Sequence, residues 1–113
     1  MLAALAPGGC VCTQGECPWL HLKLISSVVR ACGDIFPTVE YALCTVPSYP
    51  CGQIGFVLGS LDDATGALRE PVRAPTRLLQ SQLRYYNPAV HRAAFALPQF
   101  AAVEIEKAKR GAL

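Results

Sequence analysis

The sequence predicts an α/β fold in a single small domain, and three observations support this. Its 113 residues suit about one domain. With 52% hydrophobic and 16% charged residues, the chain can bury a substantial core. Glycine and proline divide it into a strand, a helix, two strands and then helices. That order is typical of one end of an α/β sheet, with a parallel crossover followed by an antiparallel return.

The first predicted strand is Cys10-Val11-Cys12-Thr13-Gln14, which follows a helical turn stopped by residues 7–9. This strand is apolar on both faces, as expected for a central strand with neighbours on both sides. The later strands can supply only one of those neighbours. We therefore expect more of the sheet to belong before residue 1, and an unpaired strand edge beside residues 10–14.

A helix is predicted over residues 18–36, with Pro18 in its first turn and Gly33 and Pro37 marking its end. Its apolar positions recur at three- and four-residue spacing, which indicates one buried face. The face comprises Leu22, Ile25, Val29, Cys32 and Phe36, widened by Leu24, Val28 and Ile35.

Strands are predicted over residues 39–45 and 54–60, joined by a proline-braced loop short enough to require antiparallel pairing. Residues 61–80 form a looser loop segment with a turn signal at 62–66. Asn87 caps a short helix that begins at Pro88. A final helix spans residues 98–110, with Glu106 and Arg110 spaced as an ion pair and Gly111 as its stop.

The composition excludes several classes of protein. A net charge of +2 gives no strong field, so we expect neither a nucleic acid nor a membrane as partner. No apolar run reaches the roughly 20 residues of a membrane span. The opening MLAALA is too short for a signal peptide. Of the six cysteines, Cys10 and Cys12 are poorly placed for cross-linking, and the others have apolar neighbours. We expect reduced, packed thiols in a cytoplasmic protein.

Residues 10–22 could in principle hold a metal or a nucleophile. Cys10, Cys12, Cys17 and His21 are possible zinc ligands, but their C-x-C-x4-C-x3-H spacing lacks the paired knuckle of structural zinc sites. Pairing Cys17 with His21 or His91 would need a third, orienting group that nothing in the sequence selects. We expect packing roles for these cysteines and no metal, with Trp19 and His21 anchoring the helix.

A ligand pocket is the third possibility. Ligands of open α/β sheets lie beyond the carboxyl ends of the strands, and Gln14 is at such an end. Gly15 would let the backbone turn away there. Tyr49 lies in the loop after the second strand, between Pro47 and Pro50. An amide and a phenol could therefore face one ligand.

Three longer strings resemble the carboxy-terminal third of the polyamine aminopropyltransferase (spermidine synthase) family. They are CTQGECPWLHL, FPTVEYALCTVPSYPCGQIGF and YYNPAVHRAAFALPQFA, and they cover most of residues 7–101. The resemblance implies a methyltransferase-like Rossmann sheet preceded by a small β domain, commonly in a homodimer. It implies aminopropyl transfer from decarboxylated S-adenosylmethionine to putrescine, giving spermidine and methylthioadenosine, without a metal or other cofactor.

The resemblance also implies site residues. Tyr49 matches a tyrosine that contacts putrescine, Gln14 a glutamine near the diamine, and Ile54 an apolar residue lining the pocket. Cys51 departs from the family's usual serine. The family's G-G-G-D-G-G nucleotide loop and its D-x-x-D-P segment, which carries the catalytic base, are not among these 113 residues. No aspartate here matches that base.

We therefore expect residues 1–113 to form one partial aminopropyltransferase domain that is inactive alone. Two alternatives remain. One is a putrescine N-methyltransferase, which shares the P-x-Y-P-x-G loop, although QGE and HRAAF favour the synthase over QAE and HSASF-like forms. The other is a truncated, non-catalytic paralogue that binds a partner.

Overall fold

The computed structural model describes residues 2–64 and 66–111, and the order of its strands and helices agrees with the sequence. The strands are β1 (Cys10–Gln14), β2 (Thr38–Thr45) and β3 (Gln53–Ser60). The helices are α1 (Pro18–Gly33), α2 (Arg77–Gln82), α3 (Pro88–Ala93) and α4 (Gln99–Lys109).

The three strands form one sheet in the order β1-β3-β2, and both pairings are antiparallel. The predicted antiparallel return is therefore confirmed. β1 and β2 run parallel, α1 connects them, and β3 lies between them. On its other side β1 has no partner strand among the described residues, and most of its side chains are exposed. This agrees with the expected open edge.

The hydrophobic core lies on one face of the sheet, under α1 and α4. Val57 of β3 is 1% exposed and packs with Ile25 and Val29 of α1 and Ile105 of α4. Alternate residues of β2, centred on Tyr41, face the same core. Because side chains alternate along a strand, the intervening residues occupy the second face, and this face carries part of the candidate site.

Helix α1 is shorter than predicted. It ends at Gly33, so Ile35 falls beyond the helical repeat and is exposed, although Phe36 still reaches the core. Leu24 was also predicted on the buried face, and that was wrong: its side chain is half exposed. His21 has non-helical backbone angles, so the first turn does not continue the face that follows it.

In the second half of the chain, the sequence did not predict one of the helices, and one predicted ion pair is wrong. Within the segment predicted as loop, α2 begins after Thr76, whose hydroxyl accepts a hydrogen bond from the Leu79 amide. Thr65, part of the predicted turn, lies outside the described residues. The Asn87 cap of α3 is confirmed. The predicted Glu106–Arg110 pair is wrong, because Lys109 pairs with Glu106 at 3.2 Å and Arg110 lies past the last turn.

A buried carboxylate ties strand β2, at the opposite edge of the sheet from β1, to the second half of the chain. Glu40 of β2 accepts a hydrogen bond from Arg69 at 2.9 Å and lies 3.3 Å from the Lys109 ammonium of α4. Two cations thus compensate one acid that is nearly excluded from water. No helix in the described part of the chain is both long and apolar enough to cross a bilayer.

Candidate functional site

The turn from β1 into α1 is held against β3 by backbone and side-chain bonds. The Gly15 amide donates to the Gly55 carbonyl at 2.6 Å, and the Gly55 amide donates to the Glu16 carbonyl at 2.7 Å. From the core side of the sheet, the buried Tyr41 hydroxyl donates to the Gly15 carbonyl at 2.6 Å and also lies 3.1 Å from the Glu16 carbonyl. This network fixes the segment that carries Gln14 and Glu16.

Gly15 is needed for a different reason from the predicted one. Glu16, with φ 56°, is the residue in the left-handed region. A Cβ at Gly15 would lie 3.0 Å from a Val57 methyl and 3.2 Å from the Tyr41 ring. Glycine here permits close packing of the turn on the sheet, and the backbone reversal falls one residue later.

The loop carrying Tyr49 is braced by its own backbone. The Val46 amide donates to the Gly52 carbonyl at 3.0 Å, and the Gly52 amide donates to the Tyr49 carbonyl at 2.8 Å. Cys51 and Gly52 both adopt left-handed φ values, 66° and 75°. A non-glycine residue in this region carries a local cost, and such residues concentrate at functional sites.

These two segments meet. The Tyr49 hydroxyl donates to Glu16 Oε2 at 3.3 Å. The Gln14 amide lies close enough to this hydroxyl to lower its pKa. Burial, followed by the charge of Glu16 and the hydrogen bond to it, raises the pKa of Tyr49, while the Gln14 amide lowers it. Gln14 and Tyr49, both predicted site residues, are therefore brought together. Glu16 was missed, although it stands in the same Q-G-E string.

The strand register places apolar side chains beside this polar group. Gln14 lies directly opposite Phe56 in the β1–β3 ladder. Ile54 is two residues before Phe56 and therefore shares its face of the sheet. Both apolar side chains are only partly buried. The predicted lining residue Ile54 is thus on the same face as Gln14, and Phe56 is a neighbour that the sequence did not single out.

The expectation of reduced cysteines is wrong for one pair. Cys17 and Cys51 form a disulfide across a sequence separation of 34 residues. Cys17 is also packed as predicted, with no exposed surface. The pairing was missed because it depends on the Tyr49 loop folding back over the β1–α1 turn. Cys10, Cys12, Cys32 and Cys44 are free thiols.

The remaining candidates have structural partners. The Nε2 of His91 donates to the Leu68 carbonyl at 3.0 Å, and its Nδ1 lies 2.9 Å from the Tyr86 hydroxyl. The Trp19 indole donates to Gln53 and packs on Phe100, which anchors the start of α1 as expected. Within residues 2–64 and 66–111 no three metal-ligating side chains converge.

An amide, a carboxylate and a phenol beside two apolar side chains suit a short aliphatic amine. The carboxylate can balance an ammonium group, the amide oxygen can accept an N–H bond, and the apolar wall can receive methylene groups. None of these groups is a strong nucleophile. The arrangement is therefore suited to binding and orienting a substrate.

The chain is similar in sequence and in structure to known proteins. The family model of the spermine/spermidine synthase domain matches residues 1–67. Spermidine synthase of Dictyostelium discoideum is 52% identical over 103 residues, which cover 91% of this chain and 35% of that protein. Putrescine N-methyltransferase 2 of Nicotiana tabacum is 41% identical over 110 residues, covering 91% of this chain and 31% of that protein.

A crystal structure of spermidine synthase in complex with the transition state analogue AdoDATO superposes with a TM-score of 0.74 at 28% identity. The match covers 91% of this chain and 35% of that one. The chain thus spans about a third of the length of the relatives it matches. With its family-model match, its sequence identity and its shared fold, the chain belongs to the spermine/spermidine synthase domain family.

Proposed function

We propose that this chain forms the diamine-binding part of an aminopropyltransferase that converts putrescine to spermidine. The observation that carries the proposal is the meeting of Gln14, Glu16 and Tyr49 at one end of the sheet, beside Ile54. Putrescine has two amines separated by four methylene groups. It therefore suits a site with polar groups close to an apolar wall.

The proposed reaction is a displacement at carbon. The lone pair of a neutral putrescine amine attacks the methylene carbon that joins the aminopropyl group to the sulfonium of decarboxylated S-adenosylmethionine. The carbon–sulfur bond breaks, and its electron pair stays on sulfur to give methylthioadenosine. The new ammonium then loses a proton to a base. Such a reaction depends on holding the amine in line and unprotonated, and it requires no metal or prosthetic group.

Each site residue has a role in binding the diamine. The Glu16 carboxylate balances the charge of the amine that does not react, and the Tyr49 ring offers an electron-rich face to the same group. The Tyr49 hydroxyl donates to the Glu16 carboxylate and orients it. The Gln14 amide accepts an N–H bond, and Ile54 contacts the methylene chain. We assign the base to no residue of this chain.

A putrescine N-methyltransferase is the second candidate, because a tobacco protein of that name is 41% identical over 110 residues. Both reactions would use the same diamine site, with different donors. The identity to a spermidine synthase is higher, 52% over 103 residues, which favours aminopropyl transfer. A non-catalytic paralogue would retain the fold without the ability to bind diamine.

A chimera tests the proposal. The matching 103-residue region of the Dictyostelium spermidine synthase is replaced by this chain, and spermidine is measured by mass spectrometry. We expect activity with a putrescine KM within about tenfold of the host's. Glu16→Gln should raise that KM by about tenfold or more, because an ammonium loses its counter-charge. Tyr85→Phe, an exposed control, should leave it unchanged.

Two results would contradict the proposal. A folded chimera that makes no spermidine would show that this chain does not supply the diamine site. A Glu16→Gln variant with the parent's KM would show the same. A reciprocal chimera in the tobacco N-methyltransferase tests the second candidate. Methylated putrescine there, with no spermidine in the first chimera, would favour methyl transfer.

We also propose that the protein works in the cytoplasm as a homodimer. The proposal of a dimer draws on a cluster of exposed apolar side chains at the start of α1, where Trp19, Leu20 and Leu24 are each half exposed or more. Contiguous apolar surface of this kind commonly marks an interface. Sedimentation of the chain with and without Leu20→Glu tests it, and a monomer at all concentrations would contradict it.

A further inference from the structure

Cys17 and Cys51 connect the two segments that carry the candidate site. Cys17 directly follows Glu16 in the β1–α1 turn, and Cys51 comes two residues after Tyr49 in its loop. The disulfide and the Tyr49–Glu16 hydrogen bond therefore cross the same seam between turn and loop. Any change at this pair acts on the position of Tyr49 relative to Glu16.

The two sulfurs differ in their access to solvent. Cys17 has no exposed surface, whereas Cys51 is exposed. Both segments also contain a non-glycine residue in the left-handed region, Glu16 at φ 56° and Cys51 itself at 66°. These are backbone states that surrounding contacts must hold. A cross-link at this seam is one such contact, and it is accessible to small molecules from one side.

We propose that Cys17 and Cys51 form a reversible thiol–disulfide site, exchanging with small-molecule disulfides, that controls closure of the Tyr49 loop over the Gln14–Glu16 turn. The control of the loop is a property of this chain. Its consequence for a diamine rests on the proposed function. In the oxidised form Tyr49 stays on Glu16, and in the reduced form the loop can open.

The chemistry balances with a disulfide such as oxidised glutathione as the oxidant. The exposed Cys51 thiolate attacks one sulfur of the small disulfide, its S–S bond breaks, and one thiolate leaves. The Cys17 thiolate then attacks the Cys51 sulfur of the mixed disulfide and displaces the second thiolate. Two protein thiols are oxidised, one small disulfide is reduced to two thiols, and the two protons go to the leaving thiolates.

The spacing of the backbone couples this bond to the loop. The disulfide joins Cys17 and Cys51, whose Cα atoms are 7.4 Å apart, and so holds the loop against the turn. Once the disulfide is broken, Tyr49 still donates to Glu16 at 3.3 Å, and beside the seam Trp19 still donates to Gln53 at 3.3 Å. Hydrogen bonds of this kind, one partly buried and one exposed, yield readily to a competing ligand.

The first test uses the full chain without substrate. It is equilibrated in glutathione buffers from fully reduced to fully oxidised, trapped with N-ethylmaleimide and digested without reductant. We expect Cys17 and Cys51 to change together from two alkylated thiols to one cross-linked peptide pair, in one transition within the buffer range. Cys12→Ser, which removes an exposed thiol elsewhere, should leave that transition unchanged. A cross-link that never forms, or that survives every ratio, overturns the proposal.

The second test measures the loop itself. Hydrogen exchange of the Tyr49 and Gly52 amides, both hydrogen-bonded within the loop, is followed in the oxidised and reduced chain. We expect exchange about fivefold faster or more after reduction. Cys51→Ser should exchange like the reduced chain under all conditions, and equal rates in both redox states overturn the proposal. Because neither test contains putrescine, a failure of the proposed function would leave these outcomes unaffected.

Discussion

Removing one buried hydroxyl, on the core side of the sheet, should weaken the support of the candidate site. Tyr41 is 1% exposed, and its hydroxyl bonds the Gly15 and Glu16 carbonyls at 2.6 and 3.1 Å. The substitution Tyr41→Phe keeps the ring and deletes both bonds. We expect this variant to be less stable and to hold the β1–α1 turn less firmly.

The magnitude follows from the partners that each carbonyl keeps. The Glu16 carbonyl also accepts from the Gly55 amide at 2.7 Å, so it remains satisfied. Among the described residues, the Gly15 carbonyl has no other hydrogen-bond partner. A buried acceptor left without a donor costs about 1–3 kcal/mol. We therefore expect Tyr41→Phe to lower the free energy of unfolding by about 2 kcal/mol.

Urea titration followed by the fluorescence of Trp19, the single tryptophan, measures this change. Hydrogen exchange of the Gly55 amide reports the turn directly, and its protection should fall in the variant. Tyr85→Phe removes the same atom from an exposed tyrosine and should cost less than about 0.5 kcal/mol. Equal effects of the two substitutions would refute the reasoning, because burial of the hydroxyl would then not matter.

Three further predictions concern the same framework. Gly55→Ala should lower the free energy of unfolding in urea by more than about 3 kcal/mol, because its methyl would overlap the Tyr41 hydroxyl and ring. Gly33→Ala, whose methyl would make only ordinary contacts, should be neutral or slightly stabilising. Arg69→Met should lower the free energy of unfolding by about 1 kcal/mol, since Arg69 is half exposed and Glu40 retains Lys109 as a second cation. A loss above about 3 kcal/mol would show that Glu40 depends on Arg69 alone. Burial raises the pKa of Tyr41 above its ordinary 10.0, so the folded state keeps a proton that the unfolded state releases. The contribution of this proton to the free energy of unfolding is therefore complete below about pH 10. Above that pH it falls by about 1.4 kcal/mol per pH unit, and Tyr41→Phe should reduce this pH dependence of stability.

Much of the fold follows from local signals in the sequence. Asn87 and Pro88 specify the start of α3 with their own side chains, and the short loop after β2 forces an antiparallel return. These features depend on residues close together in the chain. Leu24 shows the limit: it is the neighbour of Ile25 in the helix and therefore points away from the face that Ile25 and Val29 bury, although its apolar side chain suggested the same face.

The candidate site was only partly predictable for the same reason. Gln14 could be placed from its position at a strand end, and Tyr49 from its loop and the family resemblance. Glu16 joins them through a left-handed backbone conformation and a hydrogen bond from Tyr49, 33 positions away in the sequence. Neither feature is indicated by the residues close to Glu16 in the sequence. The bond between Cys17 and Cys51 depends on the same long-range approach, so residue types alone suggested packed thiols.

Tyr41 links the core of the molecule to the site without facing a ligand. Its ring packs with Val57 in the core, while its hydroxyl holds the turn between Gln14 and α1. Gly55 leaves the space that this ring needs. Substitutions at Tyr41 or Gly55 should therefore change stability and diamine affinity together. Gln14 lies on the second face, beyond this network, so its substitution should change affinity with little effect on stability. Comparing KM and unfolding free energy across these variants separates support of the site from contact with the ligand.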